Sequence, residues 1–233
     1  MSEPERRDTW KMFDRISPTY DKVNRILSLG MDRHWRMAVS RYLPRQKNLR
    51  ILDLATGTGD QLIALFESGA SIAAASGIDL SSEMLAIAKQ KVYDKPYWKK
   101  IEWLRADAEH LPFEANTFDA ATFSFGVRNV SDPVHSLMEI HRTLKQQGRC
   151  IILEFSLPPR PIQGLYLIYL RHILPRVGGY FSKVPAAYRY LNETIETFPS
   201  GKSFCALLEK AQFRNISLHR MAFGAVTVYS GEK

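Results

Sequence analysis

The stretch LDLATGTGD, Leu52 to Asp60, decides the fold. An apolar strand runs into a turn holding two glycines, Gly57 and Gly59, and Asp60 opens a helical pattern. Strand, glycine turn and helix in that order form the ligand-binding corner of an open parallel sheet, where a missing Cβ lets the backbone approach a ligand. The third glycine of the dinucleotide fingerprint is absent, because Leu62 stands in its place. That glycine serves close helix–strand packing beside a pyrophosphate, so a ligand without phosphates fits this turn better.

Outward from this corner, strand-like and helix-like segments alternate from Arg50 onward, the pattern of a parallel α/β sheet. Strands are predicted at 50–56, 71–79, 101–107, 118–125 and 149–156. Helices are predicted from Asp60 to Phe66, from Ser82 to Val92 and after Asp132. Ser81 caps the second, with Met84, Leu85, Ala88 and Val92 on one face. In the third, Asp132 is the cap and Pro133 suits the first turn. Val134, Leu137, Met138, His141 and Leu144 fall at helical spacing, and Gly148 marks the end. A further helix over about 200–211 precedes two strand-like runs, NISLHRMAF and AVTVYSG, which Gly224 separates as an antiparallel pair. The expectation is a single domain over residues 1–233, built on a mostly parallel seven-stranded sheet that an antiparallel strand closes. Residues 1–49 read as a helical lid, and 158–198 as an insertion over the sheet's functional edge.

Composition bounds the function. With 233 residues, 45% of them hydrophobic, the chain can bury one sizeable core. Cys150 and Cys205 lie far apart and outside any CxxC pair, which argues against a disulfide scaffold or zinc site and for a reducing, cytoplasmic setting. MSEPERRDTWK is charged and lacks the apolar core of a secretory signal. No apolar run reaches the length of about 18 residues that a membrane span needs. The net charge of +8 permits nucleic acid or an anionic membrane surface as partner and selects neither.

Two acidic strand ends sharpen the cofactor. Asp79 lies about 20 residues beyond the glycine turn, where a carboxylate accepts from both ribose hydroxyls. Asp107 ends the third strand, placed to accept from an adenine amino group while the Ala108 amide donates to a ring nitrogen. With a two-glycine turn and no phosphate-binding lysine, these features describe S-adenosylmethionine.

The chain here resembles the class I methyltransferases and, among them, the ubiquinone/menaquinone biosynthesis C-methyltransferases. The resemblance is carried by MFDRISPTYDKVNRILSLGMDRHWR, LDLATGTGD, GIDLSSEML, LPFEANTFDA, SFGVRNVSDP, ILEFSLP and AYRYLNETIETFP, spread from Met12 to Pro199. It implies a Rossmann-like fold and cofactor contacts at Gly57, Thr58, Gly59, Asp79, Asp107, Ala108 and Ser124. Two departures stand out. Lys145-Gln146-Gln147-Gly148 replaces the usual Pro-Gly-Gly turn, and Tyr229 stands where a histidine is common, so no role passes to it.

The implied substrate is a prenylated hydroquinone methylated on a ring carbon: demethylmenaquinol, a 2-methoxy-6-polyprenyl-benzoquinol, or both. A phenol with a pKa near 10 is only about one part in a thousand ionised at neutral pH. The phenolate pushes electron density onto the ortho carbon, and a neighbouring cation favours it. Arg128 is the candidate cation and Asn129 the group that orients the second ring oxygen. Because guanidinium stays charged, the proton goes elsewhere. Tyr20, in SPTYDKVN, is a further candidate for the substrate pocket, or else packs a lid helix on the core. The histidines form no constellation, and His141 reads as a core residue.

GLYLIYLRHILP, 164–175, leaves two readings open. Arg171, Arg176 and Lys183 could meet anionic headgroups at the inner face of a membrane while Leu, Ile and Tyr reach the acyl boundary. Alternatively the segment is buried against the core or a second copy in a homodimer. A nicotinamide dehydrogenase is disfavoured by the missing glycine. An RNA methyltransferase would show a basic stripe interleaved with aromatics, whereas the basic residues here are dispersed, so no nucleic acid is expected.

Overall fold

The computed structural model describes residues 8–233. Residues 1–7, part of the predicted lid and of the charged N-terminal stretch, lie outside the described residues. The described chain opens with helices α1 (Thr9–Leu27) and α2 (Met31–Val39). It then alternates through β1 (Leu49–Leu54), α3 (Asp60–Glu67), β2 (Ile72–Asp79), α4 (Ser82–Val92), β3 (Ile101–Arg105), β4 (Phe118–Ser124), α5 (Pro133–Thr143) and β5 (Leu144–Phe155). Helices α6 (Arg160–Ile168), α7 (Leu174–Ser182) and α8 (Pro185–Thr197) follow, then α9 (Lys202–Lys210), β6 (Arg214–Met221) and β7 (Val226–Glu232).

The strands form one sheet in the order β3-β2-β1-β4-β5-β7-β6, parallel up to β5, with β7 antiparallel to both β5 and β6. β4 is buried along its whole length, as expected for a strand covered on both faces. One face packs Leu137 and Ile140 of α5 and Phe204 and Leu208 of α9 onto Leu52, Leu54 and Ile152. The other packs Trp35 and Val39 of α2, Leu62 and Leu65 of α3 and Val92 of α4 onto Ile51, Ile151 and Val228. A third apolar cluster joins Ile16 and Val23 of α1 to Leu174 of α7 and to Tyr188 and Ile195 of α8.

The caps act as read. The Ser81 hydroxyl accepts from the Met84 amide, and Asp132 accepts from the amides of Val134 and His135. Three expectations are corrected. Gly148 does not end α5, which stops at Thr143; the chain turns extended at Leu144, and β5 pairs Leu144 with Phe118 before its register shifts. Lys145–Gly148 forms a bulge within β5, unpaired with β4 and with Gln147 at φ +63°. Gly148 is still required, because a Cβ there would sit 2.7 Å from the Lys145 carbonyl oxygen. Met138 is 47% exposed and Ile140 takes its core place, since the buried stripe runs through 137, 140 and 144. His141 stays at the rim of the core, edge-on to Phe213 at 5.2 Å.

The apolar segment 164–175 is broken into α6, a wide turn at Tyr169–Ile173 and α7. Pro175 lacks the N–H that would close a regular turn onto Arg171 and its ring crowds that carbonyl, so the helix widens there. Among the described residues no helix is long and apolar enough to cross a membrane.

Candidate active site

Strand order reverses between β1 and β4, and the carboxyl ends flanking such a switch point open a crevice. A cavity of about 460 Å³ lies there. Gly57 lines it from the glycine turn, Asp79 from the end of β2, Asp107 and Ala108 from beyond β3, and Ser124 from the end of β4. Thr9, Trp10 and Phe13 of α1 add to its wall. Asp79, Asp107 and Glu109 line it, and among the described residues no lysine or arginine is part of its wall. Such a wall suits a cationic ligand and offers nothing to a pyrophosphate.

Asp79 is the polar floor. Its Oδ2 accepts from the Gly57 amide at 2.8 Å and its Oδ1 from the Ser81 amide at 2.9 Å. Burial pushes its pKa up to about 6 despite these amides, so hydroxyl donors from a ligand would relieve a desolvated carboxylate. Gly57 has φ +55°, and open space lies where its Cβ would be. Both features fit the ribose of S-adenosylmethionine. The Ser124 hydroxyl donates to Gln61 Oε1 at 2.9 Å, and Gln61 Nε2 donates to the Arg36 carbonyl at 3.1 Å. Asp53, behind the turn, accepts from Thr56 at 2.6 Å and Thr122 at 2.5 Å. Burial raises its pKa to about 6.

Thr58 and Gly59, grouped with the cofactor residues on sequence, stand away from this cavity. The Thr58 hydroxyl donates to Asp21 of α1 at 2.6 Å and receives Lys91 Nζ at 3.2 Å. Gly59, at φ +81°, starts α3, and a Cβ there would meet the Trp103 ring at 2.9 Å. These two residues shape the turn and its link to α1. Asp21, Lys91 and Asp60 complete that link, which sequence spacing could not show because its members lie on separate helices.

A second cavity, of about 340 Å³, adjoins the first. Phe13, Tyr20, Phe125 and Asn129 line both. Leu27, Leu170, Leu174, Leu191 and Ile195 make the second one apolar. Tyr20, Asn129 and Arg128 are therefore brought together where the cavities meet. The Asn129 Oδ1 accepts from the Tyr190 hydroxyl at 3.3 Å. Burial raises the pKa of Tyr20, against the opposing fields of Arg36 and Arg128.

Arg128 lines the apolar cavity and is only 5% exposed. Its Nη1 donates to Glu154 Oε1 at 2.5 Å and to the Phe125 carbonyl at 2.7 Å, and its guanidinium lies over the Phe155 ring. Glu154 is a functional neighbour the sequence reading missed. It sits inside ILEFSLP, but its partner is 26 residues away. Among the described residues no cluster of metal-ligating side chains occurs.

The chain matches the model of the ubiE/COQ5 methyltransferase family over residues 1–233. It is 45% identical to the ubiquinone/menaquinone biosynthesis C-methyltransferase UbiE of Syntrophotalea carbinolica, over 97% of this chain and 94% of that one. It is 38% identical to the demethylmenaquinone methyltransferase of Lactiplantibacillus plantarum, over 95% and 94% of the two chains. In fold it is similar to a SAM-dependent methyltransferase, possible histamine N-methyltransferase, from Thermotoga maritima. That match has a TM-score of 0.67 at 20% identity, over 96% of this chain and 99% of that one. A Haemonchus contortus phosphoethanolamine N-methyltransferase 2 solved with S-adenosyl-L-methionine has a TM-score of 0.61 at 16% identity, over 85% and 52%. The fold is that of the class I methyltransferases, and by sequence the chain belongs to the ubiE/COQ5 methyltransferase family.

Proposed function

We propose that this chain methylates a ring carbon of a prenylated hydroquinone, demethylmenaquinol or its 2-methoxy-6-polyprenyl-benzoquinol counterpart, with S-adenosylmethionine as donor. The observation that carries this reading is the pair of adjoining cavities, one acidic and polar, the other apolar, meeting at Phe13, Tyr20, Phe125 and Asn129. The relatives named for demethylmenaquinone and ubiquinone/menaquinone methylation support the substrate class.

Asp79, Asp107 and Ala108 hold the ribose and adenine, Gly57 gives backbone access, and Ser124 closes the end nearest the substrate. When bound, S-adenosylmethionine supplies an electrophilic methyl group on a sulfonium. The apolar cavity takes the first isoprene units of the tail, so the aromatic head lies at the shared wall. Arg128 and Asn129 engage the two ring oxygens. With its Oδ1 occupied by Tyr190, Asn129 offers its amide hydrogens. With the donor bound, the quinol hydroxyl would lose its proton to solvent, the ortho carbon would take the methyl group as the methyl–sulfur bond breaks, and the hydrogen on that carbon would leave as a proton that restores the ring hydroxyl. Fixing the ring against the methyl group removes the orientational part of the barrier.

Residues 1–49 act as a lid and 158–198 as a substrate-side insertion within one domain. The protein works in the cytoplasm, at the inner face of the membrane. Leu29 and Phe223 line the apolar cavity yet are 85% and 83% exposed, and Leu165 and Tyr180 are also exposed, so an apolar rim is available to a bilayer. Arg171 is committed to Glu196 at 2.6 Å, which leaves Arg176 and Lys183 for headgroups.

The test uses labelled S-adenosylmethionine with each reduced quinol in a separate reaction. Label on the ring of at least one is expected, and no transfer to either overturns the assignment. Flotation with anionic liposomes tests the membrane contact, which binding-free recovery at low salt would remove.

A further inference from the structure

The charge of Arg128 is shared with Glu154, which pairs with it inside the protein. The apolar cavity has a second guanidinium. Arg36 comes from α2 and lines the same cavity. Its guanidinium carbon lies 5.2 Å from the centroid of the Phe125 ring, part of the wall the two cavities share. Its Nε is buried without a hydrogen-bond partner. The nearby carboxylates are already engaged. Asp32 holds Arg25, Asp60 holds Lys91 and Arg25, and Asp53 takes the hydroxyls of Thr56 and Thr122. Among the described residues, no carboxylate forms an ion pair with Arg36.

From this we infer that Arg36, a cation with no ion-pair partner, faces the quinol oxygen and favours its ionisation, with the Arg128–Glu154 pair a frame of largely offset charge beside it. This rests on the function proposed above and assigns its electrostatic part to a lid residue. Its field reaches Tyr20, ahead of that of Arg128, and also the carboxylates of Asp60 and Asp53, neither of which is close enough to pair with it. The step is proton loss alone: the O–H bond of the quinol breaks, its electron pair stays on oxygen, and the proton passes to water. A partly buried cation next to that oxygen stabilises the anion more than a fully water-exposed charge does. The arrangement also links the two sites, because the Arg36 carbonyl is held by Gln61, which in turn holds Ser124 in the cofactor cavity. The other phenols around this cavity do not compete. Burial raises Tyr166, Tyr169 and Tyr188, and Tyr190 donates to Asn129.

A prenylated nitrophenol, whose anion absorbs in the visible, reports ionisation in the cavity without methyl transfer. Its bound pKa is measured in the wild type and in R36Q, R36M, R36K and R33Q. R36Q and R36M should raise it by about one unit, and R36K should restore it. R33Q, which removes an exposed charge from the same helix, should leave it unchanged. In turnover, the acidic limb of kcat for R36Q should move up in pH by the same amount, so that activity recovers in alkaline buffer. R36M keeps an apolar stem of similar length without the charge, which covers the case in which R36Q does not fold. An unchanged bound pKa in the neutral variants, an equal shift in R33Q, or a loss of kcat equal at every pH overturns the assignment. Wild-type protein that methylates neither quinol would defeat the proposed function instead, while the nitrophenol titration would still report on Arg36.

Discussion

Arg128 and Glu154 face each other inside the protein through one side-chain hydrogen bond, Nη1 to Oε1 at 2.5 Å, with Arg128 Nε and Glu154 Oε2 both buried and unpartnered by side chains. A bidentate fork would leave neither atom orphaned. The pair therefore retains one donor and one acceptor for a ligand or an ordered water, at a cost in desolvation that a purely structural pair would avoid.

Removing one partner strands the other charge. E154L should destabilise the fold by about 3–5 kcal/mol, while the apolar double variant R128M/E154L should lose less than that single change. Urea unfolding of the four members of the cycle checks this. A double variant as unstable as the sum of its parts would show that the pair carries no such coupling.

R128A should lower turnover by about 100-fold or more, a size typical of losing a group that positions or stabilises the transition state. S-adenosylmethionine affinity, read by calorimetry, should change little, because Arg128 lines the apolar cavity and is absent from the cofactor wall. Wild-type turnover, or a parallel loss of cofactor binding, would contradict this placement.

Cofactor affinity should depend on Asp79 ionisation. Burial raises this carboxyl from 3.8 to about 6 in the free protein, and ribose hydroxyl donors favour the charged form. Binding then releases a proton below pH 6, so affinity rises with pH and levels off above it. Titrations from pH 5 to 8 should show that plateau. D79N should bind about 10- to 100-fold more weakly, as expected for losing hydrogen bonds to a charged group, and should flatten the acidic limb.

The two glycines of the turn should separate binding from folding. In G59A the new methyl meets Trp103 at 2.9 Å on a backbone with φ +81°, so thermal stability falls. In G57A the site is open, so strain is limited to about 1–2 kcal/mol for a left-handed residue. The methyl instead enters space where the ligand approaches. Melting curves and cofactor titrations of both variants should show the larger binding loss in G57A and the larger stability loss in G59A.

The local chemistry of the chain determined much of this protein. The glycine turn, the alternation of periods, the Ser81 and Asp132 caps and the Gly224 turn are short-range signals, and each element they predict is present within a few residues. Gly148 was misread as the helix end because the bulge at Lys145–Gly148 is set by the pairing of Leu144 and Arg149 with β4 on either side of it and by hydrogen bonds to Lys233, all remote in sequence. The acidic strand ends placed Asp79 and Asp107, since strand ends in a parallel sheet all open on the same crevice. Only the tertiary structure decided the charge balance around Arg128. Glu154 and Arg36 come from β5 and α2, and electrostatic compensation depends on distance through space, which sequence separation does not encode. For the same reason Thr58, next to the cavity-lining Gly57 in sequence, turns toward α1, because Asp21 and Lys91 reach it only after the helices have packed.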